Sequence, residues 1–65
     1  MQMEIGSMKV NDRVRVRYIG VDNPMALRTG KIYDARVLKL SWLGVVDESG
    51  EEYAYPPEVF EILEI

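Results

Sequence analysis

The sequence predicts an all-β domain, a small five-stranded barrel, on three observations. Asp12–Ile19 alternates strictly, with Arg13, Arg15 and Arg17 on one face and Val14, Val16 and Tyr18 on the other. Period two with β-branched residues inside marks a half-buried strand. Asp47–Phe60 reads as a strand end, a tight turn at Glu48-Ser49-Gly50-Glu51, a short strand Glu52–Tyr55, and the double proline Pro56-Pro57. Glycine supplies the positive φ of a tight hairpin, and proline, lacking an N–H, stops the ladder before Phe60 turns back to the core. No stretch is periodic enough for a helix of three turns.

Length and composition bound the rest. Sixty-five residues make one domain near the lower limit for unaided folding, burying only about 60% of the surface exposed when unfolded. With neither cysteine nor histidine, no disulfide or thiolate site assists, and the 48% apolar fraction must carry the core. No apolar run approaches the roughly 18 residues of a membrane span, and no signal-peptide core precedes the domain. The expectation is a cytoplasmic protein, monomeric or weakly oligomeric, with no membrane partner. The net charge of −3 hides an asymmetry. Residues 1–40 hold all eight bases against four acids (Glu4, Asp12, Asp22, Asp34), a net of +4, while residues 41–65 hold seven acids and no base, −7. In a barrel the halves interleave, so cross-strand ion pairing is the favoured reading.

In chain order, Met1–Ser7 shows no useful periodicity and is set aside as a frayed or disordered extension, with Met8 a natural start and the barrel spanning residues 8–65. The three arginines of the first strand suit either tracking of a phosphate backbone or pairing with Glu61 and Glu64, and pairing is preferred because the last strand of such barrels lies beside the first. Gly20–Thr29 is the longest irregular stretch. Asp22-Asn23-Pro24 signals a turn, Leu27 is expected to plug the space beneath the loop, and Met25 to stand out as a contact. Gly30–Lys39 is the second strand, with Tyr33, Ala35 and Val37 on one face. Ile32 and Leu38 break its alternation and predict a bulge or a sharp barrel bend. Ser41–Asp47 is the third strand, bent or closely approached at Gly44. Glu52–Tyr55 is the fourth, with Tyr53 and Tyr55 sharing a face. Pro57–Val59 forms one 3₁₀ turn and Phe60–Ile65 the last strand.

This order of elements resembles an SH3-like barrel. The chain is similar to small SH3-like proteins of unknown function from bacteria and their phages. In those, a leucine and a Gly-Lys-x-Tyr segment precede an Asp-x-Ser-Gly hairpin, then Tyr-x-Tyr-Pro and a closing Phe-Glu. The matching residues are Leu27, Gly30-Lys31-Ile32-Tyr33, Asp47-Glu48-Ser49-Gly50, Tyr53-Ala54-Tyr55-Pro56 and Phe60-Glu61, within residues 8–64. The resemblance speaks for fold and carries almost no functional content. Likeness to peptide-binding SH3 domains is weaker: Trp42 and Tyr55-Pro56 fall where those domains build a polyproline groove. The Ala-Leu-Tyr-Asp-Tyr motif is missing, and the long loop holds Asp22 where an acidic cluster would read a ligand's arginine.

For chemistry the signals are faint. Neighbouring carboxylates such as Asp47/Glu48 or Glu51/Glu52 point to opposite faces of a strand, and a solvated hairpin tip leaves their pKa values little shifted. Ser49 has no activating base beside it. No catalytic residue, metal site or cofactor is expected. The aromatics are the better clue: Tyr18, Trp42, Tyr53, Tyr55 and Phe60 are many for so small a core. The first expectation is a non-enzymatic protein-interaction module, a phage or mobile-element factor binding a host protein. Its surface would be Tyr18, Met25, Trp42, Tyr53, Tyr55 and Pro56, with the acidic C-terminal half meeting a basic partner. The alternative is a nucleic-acid-binding SH3-like or Tudor-like module using Arg13, Arg15, Arg17, Arg28 and Lys31, together with Arg36 and Lys39. A sequence pI near 4.8 speaks against it.

Overall fold

Alternation of apolar and polar residues becomes a one-sided antiparallel sheet in the computed structural model, which describes residues 9–64. The strands are β1 (Arg13–Tyr18), β2 (Ile32–Val37), β3 (Leu43–Val46), β4 (Glu52–Tyr55) and β5 (Phe60–Glu64). Short 3₁₀ turns occupy Lys39–Ser41 and Pro57–Val59. The spatial order is β4-β3-β2-β1-β5, with every neighbouring pair antiparallel. No helix among the described residues is long and apolar enough to cross a membrane. The predicted extension, Met1–Ser7, lies outside the described residues, as do Met8 and Ile65.

One face of the sheet is the core. Val14, Val16 and Tyr18 of β1, Tyr33, Ala35 and Val37 of β2, Leu43 and Val45 of β3, and Phe60 of β5 are buried there. Leu27 caps the layer from the long loop, as expected. Each fully buried aliphatic among them contributes about 1.5–3 kcal/mol. The loop above Leu27 is tied by short-range bonds. Asn23 Oδ1 accepts the Met25 N–H at 3.1 Å, and Asp22 Oδ1 accepts the Thr29 N–H at 2.9 Å. These side-chain-to-backbone bonds are the reason Asp-Asn-Pro turns the chain.

The sheet is open, which corrects the expected closed barrel. Its outer strands, β4 and β5, do not pair with each other. Pro56 and Pro57 have no N–H to extend β4, so the ladder ends there. The following 3₁₀ turn docks instead on the end of β1, where the Ile19 N–H donates to the Val59 carbonyl at 2.9 Å. Side chains fill the gap that hydrogen bonds leave. The Phe60 ring lies 5.7 Å from that of Tyr18 and 6.1 Å from that of Tyr55, tilted and edge-on respectively.

A second correction concerns β2. Its burial alternates without a break because Ile32 faces outward and Leu38 falls beyond the strand end. The irregularity lies in the β1–β5 pairing, where Arg15 and Val16 face Glu64 and Ile62 and the register shifts. Leu63 of β5 is the extra residue between those partners, and the bulge lets β5 bend against β1.

The opposite face is polar and cross-paired. Arg15 meets Asp34 at 3.7 Å, Arg17 meets Glu61 at 3.0 Å and Arg36 meets Glu52 at 2.7 Å. The basic N-terminal and acidic C-terminal halves therefore meet across strands. Arg36 and Glu52 sit on β2 and β4, with β3 between them. Glu52 reaches across because Gly44 has no side chain: a Cβ there would stand 2.7 Å from Glu52 Oε2. That is the close approach Gly44 permits.

Candidate functional site

The predicted contact residues divide between two places. Tyr18 belongs to the core, where its hydroxyl donates to the Val21 carbonyl at 2.7 Å. Tyr55 and Pro56 are partly buried beside it, Tyr53 stands half-exposed near the hairpin, and Met25 projects from the long loop. Trp42 is elsewhere. The register pairs Leu43 with Tyr55 and Gly44 with Ala54, so Tyr53 and Tyr55 share the core face while Trp42 goes with Gly44 and Ala54 to the other. The expected Trp–Tyr–Pro cluster is thus not assembled, because adjacent strand residues point to opposite sides.

At the Tyr55 corner the polar groups satisfy one another. Asp47, buried at 7% exposure, accepts from the Ser49 N–H, the Ser49 hydroxyl and the Tyr55 hydroxyl. These bonds, Ser49's foremost, hold its carboxyl below the usual aspartate range. Burial, then the Asp47 bond, pushes the Tyr55 phenol up to about 12. The expectation of a solvated carboxylate at position 47 is corrected: the Asx turn folds its side chain inward, beneath the hairpin. A carboxylate so stabilised is a poor base, so the arrangement orders a turn and does not activate Ser49.

A similar knot ties the long loop to the hairpin. The Tyr33 hydroxyl donates to Glu48 Oε2 at 2.8 Å and accepts the Arg28 N–H at 2.8 Å, and Lys31 Nζ reaches the same Glu48 oxygen at 2.6 Å. The Glu48 N–H donates to the Ala26 carbonyl at 2.8 Å. Lys31 and then Tyr33 lower the Glu48 pKa, and Glu48 in turn raises that of Lys31.

Of the bases proposed for nucleic acid, Arg15, Arg17, Arg28 and Lys31 are ion-paired with Asp34, Glu61, Asp22 and Glu48. Arg13 makes no ion pair among the described residues. Among the described residues no group of three or more acidic side chains is placed to hold a metal ion.

The contrasting place is a groove of about 510 Å³ beside the Lys39–Ser41 turn, lined by Val10, Leu38, Leu40, Trp42 and Ala54, with Asn11, Arg36 and Lys39 at its margin. Leu40 is 91% exposed, and Val10 and Trp42 are exposed too. The backbone here is strained. The described non-glycine residues with left-handed φ are Asn11 (76°), Leu40 (62°) and Ser41 (64°). Two of them line the groove and the third follows Leu40. Asparagine tolerates this conformation, whereas leucine pays about 1–2 kcal/mol. An exposed apolar side chain held by strained backbone brings no burial in return, and such outliers cluster at functional surfaces.

Sequence reasoning selected Trp42, and Arg36 and Lys39 only as bases for nucleic acid, but missed Val10, Leu38 and Leu40. One signal was present: Leu38, Leu40 and Trp42 alternate at period two, an apolar run on the face that Asp34 and Arg36 mark as solvent-facing. The left-handed backbone left no trace in the sequence, since neither Leu40 nor Ser41 is a residue that announces it. Against models of protein families, curated proteins and solved structures, the chain finds no match.

Proposed function

We propose that this chain is a small non-enzymatic protein-interaction module of SH3-like architecture, which seats a partner protein in the groove around Leu40 and Trp42. One observation carries the reading: a contiguous apolar surface, including a leucine almost wholly in water, is held open by left-handed backbone. Apolar patches with a tryptophan at their centre and a polar rim are the usual form of an interaction site. The strand order and the 3₁₀ turn before the last strand support the SH3-like part of the proposal. A cytoplasmic phage or mobile-element factor that binds a host protein fits this reading. Nucleic-acid binding through the arginine strand has less support, because most of those charges are already met by carboxylates.

The test is a pull-down from lysate of the source cell, with and without nuclease, using the wild type and Leu40→Asn. Asparagine tolerates the left-handed backbone, so the variant removes the apolar contact and spares the turn. A protein partner retained after nuclease and lost with Leu40→Asn is the expected result. Capture abolished by nuclease would overturn the reading in favour of the basic residues.

A further inference from the structure

We infer that the groove accepts an acidic segment of a partner protein, one whose large apolar side chain enters between Leu40 and Trp42 while flanking Asp or Glu residues meet the rim. This rests on the interaction-module reading and adds the partner's chemistry to it.

The charge distribution carries the inference. Five of the eight bases are ion-paired: Arg15, Arg17, Arg28, Lys31 and Arg36. Lys9, Arg13 and Lys39 make no ion pair among the described residues, and Lys39 stands at the groove. Lys9 adjoins Val10 in its wall, and Arg13 stands opposite Arg36 in the β1–β2 register. Of the nearby carboxylates, Asp12 accepts the Lys9 backbone N–H, Glu52 is occupied by Arg36, and Asp34 lines a separate pocket with Arg13. The groove lining therefore holds Arg36 and Lys39 and no carboxylate, on a chain whose net charge is −3. A local positive rim around an apolar floor selects carboxylates beside an apolar anchor and repels a basic segment. It also reverses the sequence-based expectation of an acidic surface meeting a basic partner. A nucleic-acid strand suits the site less well, since the floor presents methyls and an indole in place of the row of cations that phosphates need.

The test is selection of a library of random dodecapeptides on the immobilised full chain, followed by titration of the winners against wild type, Leu40→Asn and Lys39→Glu. The expected winners carry Leu, Phe or Trp flanked by Asp or Glu. They should lose about tenfold in affinity on Leu40→Asn, as for an apolar anchor. They should lose about threefold on Lys39→Glu, as for a rim charge, and weaken with added salt. Thermal melting of each variant checks that the fold persists. Winners rich in Lys and Arg that still depend on Leu40 would overturn the acidic partner and leave the interaction module standing. Winners indifferent to both substitutions would place binding elsewhere and overturn the inference. No enrichment over an unrelated small β-protein would overturn both.

Discussion

The Tyr55 corner and the Leu38–Trp42 turn lie at opposite faces of the same pair of strands and obey opposite rules. At the corner, Asp47 collects three donors, Tyr55 and Tyr18 flank Phe60, and the residues that look reactive in sequence are saturated by one another. At the turn, apolar side chains stand in water, the backbone is left-handed without glycine, and Lys39 makes no ion pair among the described residues. Satisfied polar groups and packed rings mark a place built for stability. Exposed methyls on strained backbone mark a place whose reward must come from outside the chain. In so small a domain the two cannot coincide, because every residue spent on exposure is lost to a core that is already marginal.

The sharpest way to break this comparison is to truncate the corner. Phe60→Ala removes the ring on which Tyr18 and Tyr55 both pack and should cost about 3–5 kcal/mol, enough to unfold most of the population. Circular dichroism melts would show it; a loss comparable to an ordinary surface change would mean the two edge strands are held by something other than these rings.

Acid titration gives the intermediate effect. Asp47 has a folded pKa below its ordinary 3.8, held there by Ser49 and Tyr55. Its contribution is therefore complete above the unfolded value and disappears as pH falls through the lower, folded one. Denaturant midpoints measured from pH 6 down to pH 2 should decline below about pH 4, and Asp47→Asn should flatten that decline in part. Glu48, lowered by Lys31 and Tyr33, moves in the same direction and supplies some of the remainder. On the alkaline side Tyr55 acts in the opposite sense: with its pKa raised to about 12, its stabilisation is intact below pH 10 and fades as pH rises through the folded value. A midpoint in Asp47→Asn that declines as steeply as in the wild type would remove Asp47 from the account.

The smallest effect should come from the turn and should have the opposite sign. Leu40→Gly relieves the left-handed backbone but adds freedom to the unfolded chain, so stability should stay level or rise by up to about 1 kcal/mol. Partner binding should fall. A clear loss of stability would show that Leu40 packs in solution, and the contrast between the two regions would collapse.

How much of this was legible in the sequence differs by region. The strands were, since alternation in Arg13–Tyr18 reports a sheet with one wet face wherever it occurs. The 3₁₀ turn at Pro57–Val59 and the positive φ at Gly50 were also legible, because proline and glycine restrict the backbone locally. Leu27, at the end of the short apolar run Met25-Ala26-Leu27, could be placed under its loop. The site was mostly hidden. Trp42 was visible as a tryptophan, but its separation from Tyr55 follows from a register of single residues, and a slip of one exchanges the faces of a strand.

By itself, then, the sequence determined the elements: period-two strands, a glycine hairpin, a proline stop, and a basic half obliged to meet an acidic half. These are local or compositional properties, expressed within a few residues of where they are written. Only the tertiary structure decided that the sheet stays open between β4 and β5, that Asp47 turns inward, and that Arg36 and Lys39 come to line one apolar groove. Each of those depends on which distant residues become neighbours, and that is set by register and by the packing of Phe60 against rings far away in the chain.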